Sequence, residues 1–444
     1  LHEESRLAPP ALLRDNSPPA TWKGVLVRSL HVAVLDEELS YPLTSGKRIR
    51  TFNLLSRLAN RHRVTVLCHR NPDLEEAARA DEVFRELGIE TIVVDRAIPT
   101  KSGAGFYARL AGNLLSTLPY SVASHASPAL ADAVRTLARD EKVDVWHCEW
   151  TPYAEVLRDA LGEELNDARW TVMAHNVESL IWQRYSEAER NRAKRWYIRR
   201  QWTKFERFER WAYRAASMPI AVSHDDARLM RERFGVRRVE VVENGVDVDY
   251  FRPHRDVDRD PAKLLFLGSL DWRPNLDGVS ILLDEIFPRV RAAHPVATLS
   301  LVGRRPPEWL RAKVASTPGA RIHADVPDVR PYLATAGMLV VPLRIGGGSR
   351  LKILEALATE TPVVSTRVGA EGLQLTAGRD LIVADAAESL TSAVIDGIQR
   401  PYEIQELAEN GRRRVAARYS WDPLAARLDE VWRSLLRAPL RVAA

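Results

Sequence analysis

The chain has 444 residues, more than one ordinary hydrophobic core organises, and this predicts two domains of roughly 200 residues each. Hydrophobic residues make up 45% and charged residues 28%, the mixture of a globular protein. Lys and Arg outnumber Asp and Glu by 64 to 59. The resulting +5 is too weak at this length to argue for nucleic acid, and it is compatible with phosphorylated ligands or an anionic membrane surface. No run approaches the ~20 apolar residues of a membrane-spanning helix. Cys68 and Cys148 alone imply no disulfide framework, so a reducing cytoplasm is the expected setting.

Residues 1–22 read as a disordered leader, rich in proline and without the basic-then-apolar pattern of a secretion signal. Ser29 to Leu35 is a short apolar run that reads as a buried strand. After a loop holding Pro42 and Gly46, the spacing of Ile49, Phe52, Leu55 and Leu58 predicts a helix over Lys47 to Asn60. Strands are expected at Val64 to Cys68, Thr91 to Val94, Val143 to Cys148 and Trp170 to Ala174, with a helix over Glu75 to Leu87. Such alternation marks a parallel sheet covered by helices.

A long helical stretch, Ile181 to Ala216, interrupts the rhythm. It is followed by a strand at Met218 to Val222, a helix near Asp225 to Phe234 and a strand at Val239 to Val242. Arg252 to Pro261 holds two prolines and six charges and reads as a linker. The alternation then restarts at Lys263 to Leu267, Thr298 to Val302, Arg321 to His323, Met338 to Pro342 and Pro362 to Ser365. The expected organisation is α/β: an N-terminal Rossmann-like domain over residues 23–252, and a C-terminal one over 253–420. A terminal helix follows within 421–444. Two such domains would face each other across a cleft, the natural place for a ligand. The helix at Pro423 to Leu436 carries Leu424, Leu428, Val431 and Leu435 on one stripe, suited to packing on its own domain or crossing back to the first.

The sharpest chemical signal is Pro342-Leu343-Arg344-Ile345-Gly346-Gly347-Gly348-Ser349-Arg350-Leu351-Lys352-Ile353-Leu354-Glu355-Ala356. A strand ends at Pro342, three glycines follow, and a helix is expected to start near Ser349. Glycines let a backbone approach a ligand closely, and the first N–H groups of a helix attract anions. Arg344, Arg350 and Lys352 add positive charge there, as a diphosphate requires. Glu355, one turn on, is placed to accept hydrogen bonds from two ribose hydroxyls. The spacing matches neither Gly-x-x-x-x-Gly-Lys-Ser/Thr nor Gly-x-Gly-x-x-Gly, which argues against a kinase or a dehydrogenase.

Other features carry less. Asp247-Val248-Asp249 and Asp256-Val257-Asp258 resemble metal-binding pairs but fall in connecting segments. His147, Cys148 and Glu149 are consecutive, and strand alternation is expected to keep them from converging on one ion. Between Arg192 and Arg214, nine Lys or Arg residues are interleaved with aromatics, and Ile198, Trp202, Phe205, Phe208 and Ala212 form a helical stripe. That segment either draws the protein to anionic lipid or packs its stripe on the first domain. No nucleic-acid-binding module is recognisable.

Arg350-Leu351-Lys352-Ile353-Leu354-Glu355-Ala356, Pro362-Val363-Val364-Ser365-Thr366 and Val368-Gly369-Ala370-Glu371-Gly372-Leu373 resemble the donor-site signature of retaining glycosyltransferase family 4, of the GT-B fold. Gly46 with Arg48 and Arg50, His175-Asn176-Val177-Glu178, Asn244-Gly245-Val246-Asp247 and Gly268-Ser269-Leu270 extend the resemblance over about residues 30 to 436. Trp272-Arg273-Pro274-Asn275 and Cys148-Glu149-Trp150-Thr151-Pro152 resemble the branch of bacterial exopolysaccharide sugar transferases.

The resemblance implies transfer from a nucleotide sugar to a glycan or lipid-linked acceptor, with no cofactor or metal. Glu355 would hold the ribose, and Arg350 and Lys352 the diphosphate. Gly347, Gly348 and Ser349 would form the phosphate-facing turn, with Gly369, Ala370, Glu371 and Gly372 lining the sugar-phosphate pocket. Gly46 would let the acceptor-side loop approach the donor phosphate, and His175 would orient a sugar hydroxyl. Two departures stand out. Gly347 occupies the earlier of two positions at which the family often carries glutamates, and Ser269 stands where it usually has an arginine. A nucleotide-sugar epimerase of the same architecture and a non-catalytic nucleotide-sugar-binding subunit are the rival readings.

Overall fold

A computed structural model describes residues 28–95, 103–345 and 350–437. The chain forms two compact units. One runs to Glu243 and resumes at Asp422; the other spans Asn244–Trp421. The division thus falls ahead of the charged stretch 252–261, and the end of that stretch is itself the start of a strand.

The first unit is a seven-stranded parallel sheet in the order β3-β2-β1-β4-β5-β6-β7. Its strands are β1 (His31–Leu35), β2 (Arg63–His69), β3 (Glu90–Val94), β4 (Val145–Cys148), β5 (Trp170–Ala174), β6 (Met218–Ala221) and β7 (Glu240–Val241). The central strands are buried on both faces, as an all-parallel sheet covered by helices demands. β1 pairs with β2 on one side and β4 on the other, so the strand order reverses there. Open α/β sheets bind ligands outside the strand ends at such a reversal.

The second unit repeats the plan with six strands, in the order β10-β9-β8-β11-β12-β13. They are β8 (Asp260–Leu267), β9 (Thr298–Gly303), β10 (Ala320–Ala324), β11 (Ala336–Val341), β12 (Val363–Ser365) and β13 (Ile382–Val383). All described pairings are parallel, and the reversal lies between β8 and β11.

The expected long helix over Ile181 to Ala216 is two helices, Glu178–Ala188 and Arg192–Ala215. Glu189 turns extended, and the Asn191 side chain caps the second helix by accepting from the Lys194 N–H. That helix buries Ile198, Phe205, Phe208 and Ala212, so most of the stripe packs inside the first unit. Arg192, Lys194, Arg195, Arg199 and Arg200 remain exposed, with Trp196 60% exposed among them. Among the described residues no helix is long and apolar enough to cross a membrane.

The last helix, Trp421–Arg437, belongs to the first unit from Asp422 onward. Leu424, Leu428, Val431 and Leu435 are all buried there. Asp429 fixes the register by meeting His62 at 2.9 Å and Arg433 at 2.6 Å. The Trp432 ring packs edge-on to His147 at 5.5 Å. Because Leu428 is fully buried, Leu428→Ala is expected to destabilise the first unit by about 2–5 kcal/mol, read from urea unfolding of the full chain.

Candidate functional site

The chemically distinctive groups of the second unit gather at the C-terminal end of β8, beside β11. Gly268 follows β8 with φ at +150°, and a Cβ there would approach the Lys352 Nζ and Asn275 Nδ2 to 2.8 Å. The missing side chain is what makes room for the lysine. Lys352 comes from the helix Leu351–Ala358, donates to Asn275 Oδ1 at 2.8 Å and lies 4.6 Å from the centre of the Phe266 ring. Asn275 is fixed in turn by donating to the Ser269 carbonyl at 2.8 Å. Burial pushes the Lys352 ammonium down to about 7; nearby Arg350 adds to this and Glu355 opposes it.

Glu355 stands three residues along the same helix, hence on the same face. Burial raises its carboxyl to about 7, against the pull of Lys352. An ammonium and a carboxyl one turn apart, both partly exposed, suit a ligand carrying anionic phosphate at one end and hydroxyls at the other.

Arg350 does not point into solvent. It is 9% exposed and adopts φ +53°, ψ +16°, a left-handed conformation uncommon for a residue with a side chain. Its guanidinium donates to the Val368 carbonyl at 2.9 Å and to Glu371 Oε2 at 3.3 Å. It therefore ties the helix start to the loop that contains Gly369, Ala370, Glu371 and Gly372. That loop is built tightly: a Cβ on Gly369 would lie 2.4 Å from Ser365 Oγ. The Gly369 N–H donates to Thr366 Oγ1 and the Ala370 N–H to the Thr366 carbonyl, so both are used within the turn. Gly372 sits at φ +82°. Arg344, expected to share the phosphate charge, forms a two-pronged pair with Asp277 at 3.0 and 2.6 Å. Gly347, Gly348 and Ser349 lie outside the described residues.

In the first unit, Gly46 is the opening residue of the helix Gly46–Leu58, whose N-terminus Ser45 caps by accepting from the Arg48 N–H. Its neighbour Lys47 is engaged by Asp36 and Glu37. Arg50 is fully buried and donates to the carbonyls of Val242 and Glu243 at 2.8 and 2.6 Å, holding the chain where the first unit ends.

His175 follows β5. Its Nε2 stands 3.3 Å from Glu149 Oε1, and its side chain is 13% exposed. Sequence reasoning missed this carboxylate. Alternation does separate Cys148, but residues two apart share a face, and His147 Nε2 meets Glu149 Oε2 at 2.8 Å. A second omission is Glu209, fully buried on the Arg192–Ala215 helix. It accepts from the Glu178 and Ser179 N–H groups at 2.7 and 3.1 Å and so caps the helix that begins just after His175. The Glu178–Glu209 spacing carries no local motif that could have shown it. Asp247 of the first Asp-x-Asp pair accepts from the N–H groups of Asp249 and Tyr250. Among the described residues no group of three His, Cys, Asp or Glu side chains is arranged to hold a metal.

Two parallel Rossmann-like sheets define the GT-B class of glycosyltransferase. Residues 45–250 match the model of Glycosyltransferase Family 4, and residues 261–400 that of Glycosyl transferases group 1. The chain belongs to this family. It is similar to the MMP alpha-(1->4)-mannosyltransferase of Mycolicibacterium hassiacum, 29% identical over 57% of this chain. That alignment spans 62% of the relative's own length. Sucrose-phosphate synthase from Thermosynechococcus elongatus has the same fold, with a TM-score of 0.68 and 19% identity, covering 93% of this chain and 100% of that one. So does the Anabaena HepE protein in complex with UDP and glucose, with a TM-score of 0.64 and 14% identity, covering 91% and 100%.

The two groups near 7 lead to a pH test. Phosphate favours the charged ammonium, so nucleoside diphosphate affinity should fall as pH rises above about 7, by at most about tenfold per unit. Ribose hydroxyls favour the ionised carboxylate, so affinity should also fall as pH drops below about 7. Calorimetric titration across pH 5.5–9 is expected to show Lys352→Met losing the basic limb and Glu355→Gln weakening the acid limb. Limbs unaltered in these variants would contradict the placement.

Proposed function

We propose that this protein transfers a hexose from a nucleoside-diphosphate sugar to a hydroxyl of a glycan or lipid-linked acceptor, with retention of anomeric configuration. The observation that carries the reading is the placement of Lys352 and Glu355 one turn apart on one helix face, beside the strand reversal of the Asn244–Trp421 unit. Lys352 would stabilise the departing diphosphate, and the N-terminus of its helix would add to that field. Arg350 would act mainly by holding the Val368–Gly372 loop against the donor. Charge neutralised by a lysine and backbone dipoles calls for no metal or other cofactor. The HepE complex with UDP and glucose supports a nucleotide-sugar donor for this fold. The resemblance to exopolysaccharide transferases supports a polysaccharide precursor as acceptor.

Purified protein incubated with GDP-mannose, UDP-glucose and related donors, with and without lipid-linked acceptors, tests this directly. The expected product is an α-linked glycoside formed only when acceptor is present. Donor interconversion without acceptor would favour an epimerase, and tight nucleoside diphosphate binding without turnover a binding subunit.

We further propose that the protein is cytoplasmic and that residues 192–214 bring it to an anionic membrane face. Support comes from the five exposed cations between Arg192 and Arg200 and from Trp196 among them. Sedimentation with vesicles should show binding to phosphatidylglycerol-containing membranes, little to phosphatidylcholine alone, and release by salt. Arg199→Glu with Arg200→Glu is expected to abolish it; binding that persists in this variant would rule the segment out.

A further inference from the structure

Behind His175 lies a chain of buried polar groups that fixes its protonation pattern. Trp432 Nε1 can only donate, and it faces His147 Nδ1 at 3.4 Å. The Thr171 hydroxyl meets the same nitrogen at 2.5 Å. Nδ1 of His147 is therefore an acceptor, and its proton sits on Nε2, which faces Glu149 Oε2 at 2.8 Å. The other Glu149 oxygen accepts from the Thr51 hydroxyl at 2.9 Å and stands 3.3 Å from His175 Nε2. Burial would raise the Glu149 carboxyl, but its contacts with His147 and His175 outweigh it and hold the group well below the usual range. Among the described residues His175 Nε2 is buried with no hydrogen bond formed, and Glu149 is the acid it faces; an ionised carboxylate only accepts, so Nε2–H is the form that can bond it.

The geometry points to Glu149 as a positioning residue that holds His175 in its Nε2–H form and leaves Nδ1 as the ring's acceptor for a substrate hydroxyl. The part played by the hydroxyl rests on the transferase reading; the tautomer does not. Through Trp432 and His147, the final helix of the chain takes part in setting the state of a residue at the sheet end. Orientation of a histidine by a buried acid decides which nitrogen meets substrate.

The test is two-bond ¹H–¹⁵N correlation on histidine-labelled full-length protein, with the His175 signals assigned from His175→Asn. The wild type is expected to show His175 protonated at Nε2, and Glu149→Gln a mixture of tautomers. Turnover of Glu149→Gln should fall by about 10²-fold or more, with nucleoside diphosphate affinity within about twofold of wild type. Protonation at Nδ1 in the wild type overturns the inference, as does a variant with tautomer and turnover unchanged. If Glu149→Gln does not fold, the wild-type spectrum decides alone. An active transferase with Nδ1–H would sink this placement and leave the transferase reading intact. A protein inactive with every donor yet showing Nε2–H would do the reverse.

Discussion

The ammonium of Lys352 occupies a space that exists because residue 268 has no side chain. The same economy is repeated one strand away, where a Cβ on Gly303 would fall 1.9 Å from the Gly268 carbonyl oxygen. Two glycines thus let the ends of β8 and β9 close on each other and leave a slot that Asn275 and Lys352 fill. A cation held there, over an aromatic ring and with the neutral Asn275 amide as its hydrogen-bond partner among the described residues, is poorly compensated. That imbalance is the physical basis for expecting an anion: a diphosphate would supply the missing counter-charge.

The basic residues between 344 and 352 divide their labour. Arg344 is matched by Asp277, and Arg350 is spent on the Val368 carbonyl and Glu371, so both stabilise structure around the slot. Lys352 has no carboxylate among its described hydrogen-bond partners. Three positive charges close in sequence therefore do not act as one patch. Their roles follow from what each side chain meets after folding.

In the first unit, the end of the sheet is organised around buried carboxylates. Glu149 gathers His147, His175 and Thr51, while Glu209 gathers the first N–H groups of the following helix. Removing such a group from water is costly unless several donors replace the lost hydration. Both acids have found those donors, and the backbone around His175 is set between them. Burial still raises Glu209 to about 7, which marks how dry its surroundings are.

Much of this was legible in the sequence. Apolar runs bounded by turn residues located nearly every strand, because strands buried on both faces must be continuously apolar. The strand–glycine–helix succession singled out the segment on which the structure places Lys352 and Glu355 one turn apart. Local patterns could not place the break at Glu189 to Asn191, where side-chain capping competes with helix continuation. Nor could they foresee the contacts of Glu149 with His175, of Glu209 with Glu178 or of Arg344 with Asp277, between residues 26, 31 and 67 positions apart. Periodicity and glycine placement are properties of a segment, so the chain alone determined two parallel α/β sheets and a basic helix start after β11. Whether a charge is free or matched, and which nitrogen of a histidine carries hydrogen, depends on distant groups meeting in a dry interior. Only the tertiary structure decided those.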